Sequence, residues 1–287
     1  MKMQIREITQ EDAPECGRIL YEAFAGIAGR HNFPYDFPDV GSAEGFAEMA
    51  IGSPDIYGVA AEIDGKFVGS NFLWEHDDIK GVGPITVDPS VQAKGAGRKL
   101  MEAVIERGKD APGIRLVQAA YNSASMSLYT RLGFDIVDPL VIVEGKPANV
   151  RRRETVVRQM EEGDLEACGE IGRSVTGFTR KRELASFLGA FPSVVAERDA
   201  RIVGYMSAPG SWHLNHSVAE TDSDLEDLIA GAGELTGEPV RFLLPTRRSD
   251  LFRWCLNAGL KVVMPLSLMV MGEYSKPKGA YTPSVLY

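Results

Sequence analysis

Val87-Asp88-Pro89-Ser90-Val91-Gln92-Ala93-Lys94-Gly95-Ala96-Gly97-Arg98 closes an apolar, strand-like run and opens a helix. The run, Ile85-Thr86-Val87, stops at Pro89, because proline has no N–H to give to a ladder. Gly95 and Gly97 admit backbone geometries closed to residues with a Cβ, so the main chain can approach a ligand closely. Beyond Arg98 the apolar residues Leu100, Met101, Val104 and Ile105 recur at helical spacing. The N–H groups of such a helix start, aided by the helix dipole, make an anion site. Gln92, Ala93, Lys94, Gly95, Ala96, Gly97 and Arg98 therefore read as a cradle for a diphosphate, although a turn that merely starts a helix would use the same glycines.

The flanking sequence narrows the choice. A nucleoside-triphosphate loop needs Gly-x-x-x-x-Gly-Lys-Ser/Thr, and the chain has none. A dinucleotide fold would place its glycines after the first strand of a parallel sheet; here they come far into the chain, after a hairpin pattern. Downstream, a strand pattern over Arg115 to Ala120 leads into Tyr121-Asn122-Ser123-Ala124-Ser125-Met126-Ser127-Leu128-Tyr129. A short helix is predicted there, with a glycine stop in Arg131-Leu132-Gly133-Phe134.

With both elements in view, the chain resembles the GNAT acyltransferase superfamily. That family's cofactor motif, Gln/Arg-x-x-Gly-x-Gly/Ala, is matched by Gln92, Gly95 and Gly97. Its later motif, Asn-x-x-Ala/Ser-x-x-x-Tyr-x-x-x-Gly-Phe, is matched by Asn122, Ser125, Tyr129, Gly133 and Phe134. The resemblance implies an α/β (α+β) fold, a mixed, twisted and partly splayed sheet flanked by helices. It also implies acetyl-CoA as acyl donor, with the pantetheine arm lying against the backbone of Ile85, Thr86 and Val87.

A mechanism comes with the resemblance: a backbone N–H near Val87 polarises the thioester carbonyl, and Tyr129 protonates the departing sulfur. A phenol, with a reference pKa of about 10, suits that task. The alternative for Tyr129 is a core aromatic, and for Asn122 a helix cap in place of a pantetheine contact. Ser125 is grouped with Asn122 as a donor-binding residue. The strand Gly81-Val82-Gly83-Pro84-Ile85-Thr86-Val87 carries no carboxylate, so the general base is sought at the preceding turn: Glu75, with His76, Asp77 and Asp78 beside it. Glu75 shares a strand face with Asn71 and Leu73 by period-two alternation.

The irregular stretch Gly26 to Asp39, rich in proline and aromatics, is the expected acceptor side. Phe33, Tyr35 and Phe37 could wall it, with His31 beside them and Asp36 or Asp39 holding a cationic amine; a loop packed on the domain would look the same. The expected acceptor is a small-molecule amine. A non-catalytic acyl-CoA-binding sensor and an enzyme acting on a protein amine are the alternatives.

Composition sets limits on partners. The 287 residues, 44% hydrophobic and 25% charged, are those of an ordinary globular protein with room for two domains. A net charge of -9 speaks against nucleic acid and anionic membranes as partners. No signal peptide, membrane span or low-complexity tract is read, so the expected setting is cytoplasmic. Cys16, Cys168 and Cys255 are scattered, and the four histidines form no ligand-like group, so no metal is expected. A homodimer is left open.

The chain also repeats itself in order. Ile5-Arg6-Glu7-Ile8 with Asp12, Cys16 and Gly17 returns as Val157-Arg158-Gln159-Met160 with Asp164, Cys168 and Gly169. Val59 to Asp64 with Val68-Gly69 returns as Val194 to Asp199 with Val203-Gly204, and Gly133-Phe134 as Gly259-Leu260. Two tandem GNAT-like domains are expected, 1–147 catalytic and 148–287 degenerate, joined through the charged hinge Glu144 to Arg153. In the second copy, His216 to Leu225 lacks the glycine cradle and places carboxylates at the helix start, with Ser223 or Asp224 expected as N-cap. Trp254-Cys255 stands where Leu128-Tyr129 stood, so one cofactor site per chain is expected. The tail, Gly279 to Tyr287, is expected to pack on a domain surface.

Overall fold

The computed structural model describes residues 2–91, 95–148 and 154–286. The chain divides into two compact units: Met1–Leu116 with Tyr121–Phe134, and Val117–Ala120 with Asp135–Tyr287. The first unit holds β1 (Met3–Glu7), α1 (Ala13–Arg30), α2 (Val40–Gly52), β2 (Ile56–Ile63), β3 (Lys66–Trp74), β4 (Lys80–Val82), β5 (Thr86–Val87) and α3 (Ala96–Arg107). β6 (Gly113–Ala119), whose last residues belong to the second unit, and α4 (Ser123–Arg131) complete it.

Its strands run in the order β1-β2-β3-β4-β6, antiparallel except for β4 and β6, which pair in parallel at Lys80↔Ile114 and Gly81↔Arg115. β5 pairs with β3 alone among the described strands, at Gly69↔Val87 and Ser70↔Thr86. The sheet is the middle of three layers. On β3, Ser70 meets Cys16 of α1 at 3.2 Å, while the next residue, Asn71, donates to Leu100 O of α3 at 3.4 Å. Neighbouring strand residues point to opposite faces, so α1 and α3 cover opposite sides. The helix starts are locally specified. Asp39 accepts from Ser42 N–H at 2.7 Å to cap α2, and Asn122 accepts from Ser125 N–H at 3.3 Å to cap α4.

The second unit contains β7 (Asp135–Gly145), β8 (Val156–Gln159), α5 (Leu165–Thr176), α6 (Lys181–Phe187), β9 (Val194–Arg198), β10 (Arg201–Met206), β11 (Ser217–Ala219), α7 (Asp222–Thr236), β12 (Val240–Pro245), α8 (Ser249–Asn257), β13 (Lys261–Gly272) and β14 (Ala280–Thr282). One sheet runs β14-β11-β10-β9-β8, antiparallel throughout. β7 lies between β12 and β13, antiparallel to both, and Ala120 N–H reaches Pro265 O of β13 at 3.1 Å. Val141 and Val143 of β7 join the core formed by Leu228, Phe242 and Leu251, so the compact units and the sequence repeats do not share a boundary. Again alternate residues serve opposite faces: Val194 and Ala196 enter that core, and Val195 enters the one built on Cys168, Ile171 and Tyr205.

The repeat is visible in contacts as well as letters. Arg6 reaches Asp12 and Glu62 at 2.7 Å each, and Arg158 reaches Asp164 at 2.7 Å and Glu197 at 3.0 Å. The hairpins β2–β3 and β9–β10 turn through Asp64-Gly65 and Asp199-Ala200, all four residues at positive φ (50°, 79°, 52° and 57°). Both central residues of such a two-residue turn must be left-handed, which favours Asp-Gly. One expectation fails at the start of α7. Its cap is Thr221, whose hydroxyl accepts from Asp224 N–H at 3.1 Å, and not Ser223 or Asp224, because the extended backbone ends two residues earlier than the charge pattern suggested.

Ala200 is exposed and carries a Cβ in the left-handed region, which costs about 1–2 kcal/mol. Ala200→Gly is therefore expected to raise the stability of the second unit by roughly 1 kcal/mol, part of the relief being returned as chain entropy. Thermal or denaturant unfolding reads this directly.

Candidate active site

The phase of β5 decides what the first unit can bind. Asp88 N–H donates to Val68 O at 2.8 Å, so Asp88–Val68, and with it Thr86–Ser70, are hydrogen-bonded pairs of the antiparallel ladder. The intervening pair, Val87–Gly69, is of the other kind, with the N–H and C=O of Val87 turned away from β3. The strand can come this close because Gly69 faces it; a Cβ there would stand 2.4 Å from Thr86 O. Thr86 is buried, and its Oγ1 has no hydrogen-bond partner among the described residues.

After Asp88 accepts from Ser90 N–H at 2.8 Å, the chain turns and α3 begins at Gly95, which is left-handed at φ 87°. Its N-cap residue, a glycine, has no side chain with which to cap the helix. Gln92, Ala93 and Lys94 of the expected cradle lie outside the described residues, whereas Gly95, Ala96, Gly97 and Arg98 lie within them. Arg98 is occupied with Glu102 at 2.7 Å. A Cβ on Gly97 would stand 3.7 Å from both Val87 and Leu128, so β5, the start of α3 and the middle of α4 converge on one place.

Tyr129, the residue after Leu128, is buried against Phe134 at 6.4 Å, ring edge to face. Burial pushes its phenol up to about 12, partly opposed by a hydrogen bond with Ser125 in the first turn of α4. Its hydroxyl thus lies at the Asn122 end of the helix. Tyr129 is a core aromatic whose polar tip reaches the helix start.

One residue before Asn122, Tyr121 gathers the acceptor-side residues. Phe33 stacks on it at 4.5 Å and His31 tilts against it at 4.9 Å. Burial, helped by the charge of Asp36, pushes the Tyr121 phenol up to about 12. Asp36 is itself pushed up to about 6 by burial. Phe37 belongs to a second run of rings, Phe24, Phe37, Phe46, Trp74 and His76, each within 6.5 Å of the next. Tyr35 is 54% exposed, with its hydroxyl 3.5 Å from where a Cβ on Gly29 would stand, and Asp39 caps α2.

Glu75 is placed elsewhere. It lies just past the end of β3 and is gripped by Arg107 at 2.9 Å, with that guanidinium over the Tyr57 ring at 4.9 Å. Arg107 closes α3 ten residues beyond Gly97, about 15 Å along the axis at 1.5 Å per residue. Glu75 and Tyr129 are therefore at opposite ends of that helix. Sequence reasoning missed Tyr121 as the hub, and its bulky ring beside Asn122 was the available signal.

An acyl-CoA fits these residues. A glycine-opened helix start suits a diphosphate, and a strand edge with the Thr86 hydroxyl, which has no hydrogen-bond partner among the described residues, suits an amide-bearing arm. Residues 19–134 match the family described as Acetyltransferase (GNAT) family. This stretch is thus similar to a GNAT acetyltransferase domain. Acetyltransferases of this family move an acetyl group from acetyl-CoA to an amine.

The fold similarity extends over the whole chain. A putative acetyltransferase from Pyrococcus horikoshii is 19% identical, with 99% of this chain and 94% of that one covered at a TM-score of 0.75. A GCN5-related N-acetyltransferase from Sphaerobacter thermophilus is 17% identical, covering 97% and 98% at 0.63. A tandem GNAT protein from the clavulanic acid biosynthesis pathway is 11% identical, covering 96% and 100% at 0.58. No curated protein matches the sequence. Among the described residues, no group of histidine, cysteine or acidic residues could hold a metal, and no helix is long and apolar enough to cross a membrane.

The space beside Gly97 gives a graded test. Gly97→Ala places its methyl at ordinary contact distance and is expected to keep acetyl-CoA binding, whereas Gly97→Phe fills the gap between Val87 and Leu128 and is expected to abolish it. Calorimetric titration of each variant with acetyl-CoA measures both.

Proposed function

We propose that the first unit is an N-acetyltransferase for a small-molecule amine, with Tyr129 as general acid and Asp36 as general base. The observation that carries this is the convergence on α4: Tyr121 meets the acceptor segment, Asn122 and Ser125 open the helix, and Tyr129 lies one turn on. Acetyl-CoA, when bound, supplies the acetyl thioester. Gly95 to Arg98 and the cradle residues before them would hold its diphosphate, and Ile85, Thr86 and Val87 its arm. The outward N–H of Val87 serves to polarise a carbonyl, which is oxyanion stabilisation by a backbone donor. Asn122 keeps its amide nitrogen for the arm, since its oxygen is spent on Ser125.

Each titrating side chain moves one proton. Tyr129 Oη gives one to the departing sulfur, and burial keeps that phenol protonated at neutral pH. The Asp36 carboxylate takes one from the amine, for which a value of about 6 is well placed. Glu75 was the residue expected in this role, but Arg107 holds it at the far end of α3. The rings of Phe33 and Tyr121 and the half-buried Asp36 favour a compact amine with an apolar body over an extended protein segment. The unpaired, buried Cys16, Cys168 and Cys255 suit a reducing, cytoplasmic setting.

Tyr129→Phe is expected to lower kcat roughly 100-fold or more with little change in KM for acetyl-CoA. In the native protein kcat/KM should fall as pH drops through about 6, where Asp36 gains a proton, and Asp36→Asn should remove that limb together with most activity. Glu75→Gln is expected to leave the pH profile in place. Steady-state kinetics with an amine panel from pH 5 to 9 decides the assignment, and an unchanged profile in Asp36→Asn rejects it.

A further inference from the structure

The second unit contains a counterpart of β5, whose outer edge is taken by another strand of the same unit. Glu220 N–H donates to Val203 O at 2.9 Å, the counterpart of Asp88 N–H to Val68 O at 2.8 Å. Gly204 faces Ala219 as Gly69 faces Val87, and a Cβ on Gly204 would stand 3.0 Å from Val218 O, as one on Gly69 would strike Thr86 O. β11 is therefore in phase with β5, and the N–H and C=O of Ala219 point away from β10 as those of Val87 point away from β3. On that edge lies β14, in register Ser217↔Thr282, Val218↔Tyr281 and Ala219↔Ala280.

The segment carrying β14 is held from several elements. Lys278 N–H donates to Val175 O of α5 at 2.7 Å, Arg248 Nη1 to Gly279 O at 2.7 Å, Arg180 Nη2 to Ser284 Oγ at 3.0 Å, and Val285 N–H to His213 O at 3.0 Å. Residues 279–284 are buried throughout, with Tyr281 inside the core of Cys168, Ile171 and Tyr205. The helix start is filled as well. Where α3 opens at a glycine, α7 is capped by Thr221 and carries Asp222 and Asp224, which are paired with Arg248 and Arg198. Arg248 thus links the acidic helix start to the tail. Carboxylates stand where a diphosphate would lie, and an extended backbone stands where an amide-bearing arm would lie.

We infer that residues 279–286 are an intramolecular ligand that fills, on β11, the track that β5 presents to an acyl donor, so that the chain takes up one acetyl-CoA, in the first unit. This rests on reading the β5 edge as the donor track. The site on β11 accepts an extended chain with amides at ladder spacing, and its resident occupant is the tail.

The test keeps the whole chain. A protease site inserted between the exposed Ser275 and Lys276 lets the tail be cut in the folded protein, and a labelled peptide of residues 277–286 serves as probe. The intact chain should bind one acetyl-CoA by calorimetry. After cutting, the tail should stay bound through gel filtration. Millimolar pantetheine, which lacks the diphosphate, should then displace the labelled peptide, and tail removal should speed amide exchange at Ser217 and Ala219 by 100-fold or more. Two acetyl-CoA per intact chain, failure of pantetheine to displace the peptide, or unchanged exchange at Ser217 and Ala219 after the tail leaves would each overturn the inference. If the first unit binds no acetyl-CoA, the donor reading of β5 fails by itself, while the peptide and exchange measurements still report on β11.

Discussion

The hydrogen bond from Asp88 N–H to Val68 O sets the phase of everything around the site. Along an antiparallel ladder, backbone groups alternate between facing the partner strand and facing away. A slip of one residue would turn Thr86 outward and bury the amide of Val87 against β3, and the side chains would change faces with it. Gly69 makes the phase possible by admitting the strand at close range, and Pro89 ends pairing just beyond it. The chain is then released into the turn that opens α3 at Gly95. A strand edge turned away from its neighbour is where a further backbone can pair. In the second unit β14 pairs on the corresponding edge of β11.

The scaffold is repeated more faithfully than the chemistry. The ion pairs of Arg6 and Arg158, the left-handed hairpins at Asp64 and Asp199, and the buried Cys16 and Cys168 are counterparts in place as well as in sequence. The helix ends of α4 and α8 are counterparts too: Phe134 N–H reaches Tyr129 O at 3.1 Å, and Leu260 N–H reaches Cys255 O at 3.0 Å. That pairing fixes Cys255 as the residue in the place of Tyr129. Burial pushes its thiol up to about 12, so it is an inert core group with no phenol to offer. Half-exposed ion pairs contribute little individually, of order 1 kcal/mol or less, so the repeated frame owes more to its two-faced sheets.

Local patterns were legible in the sequence where local physics decides. The glycine-opened helix at Gly95 and the cap at Asn122 depend on residues within a few positions of one another, whereas Asp39, expected to hold an amine, caps α2 instead. What the sequence did not reveal is non-local. Period-two alternation correctly grouped Asn71, Leu73 and Glu75, but it could not show that β3 ends at Trp74 or that Arg107, thirty-two residues on, takes the carboxylate. The value of Asp36 comes from packing in its folded surroundings, and the tail became a strand because an edge was waiting for it sixty residues upstream. The extent of β7 shows the same limit. In sequence it closes the first repeat, but its apolar Val141 and Val143 pack in the second unit's core.

Burial acts on the two proposed proton carriers in the same direction and with opposite consequence. It disfavours the charged form of each, raising the Asp36 carboxyl to about 6 and the Tyr129 phenol to about 12. For an acid that must stay protonated, the shift extends the range in which it is loaded. For a base that must be ionised, the shift strengthens its hold on a proton while leaving it charged at neutral pH. Between those two values one group is ionised and the other is not, which is the pairing that acyl transfer to an amine requires. Glu75 is instead paired with Arg107 at the other end of α3. Packing thus sets the basicity proposed for Asp36, whose charge in turn acts on the Tyr121 phenol.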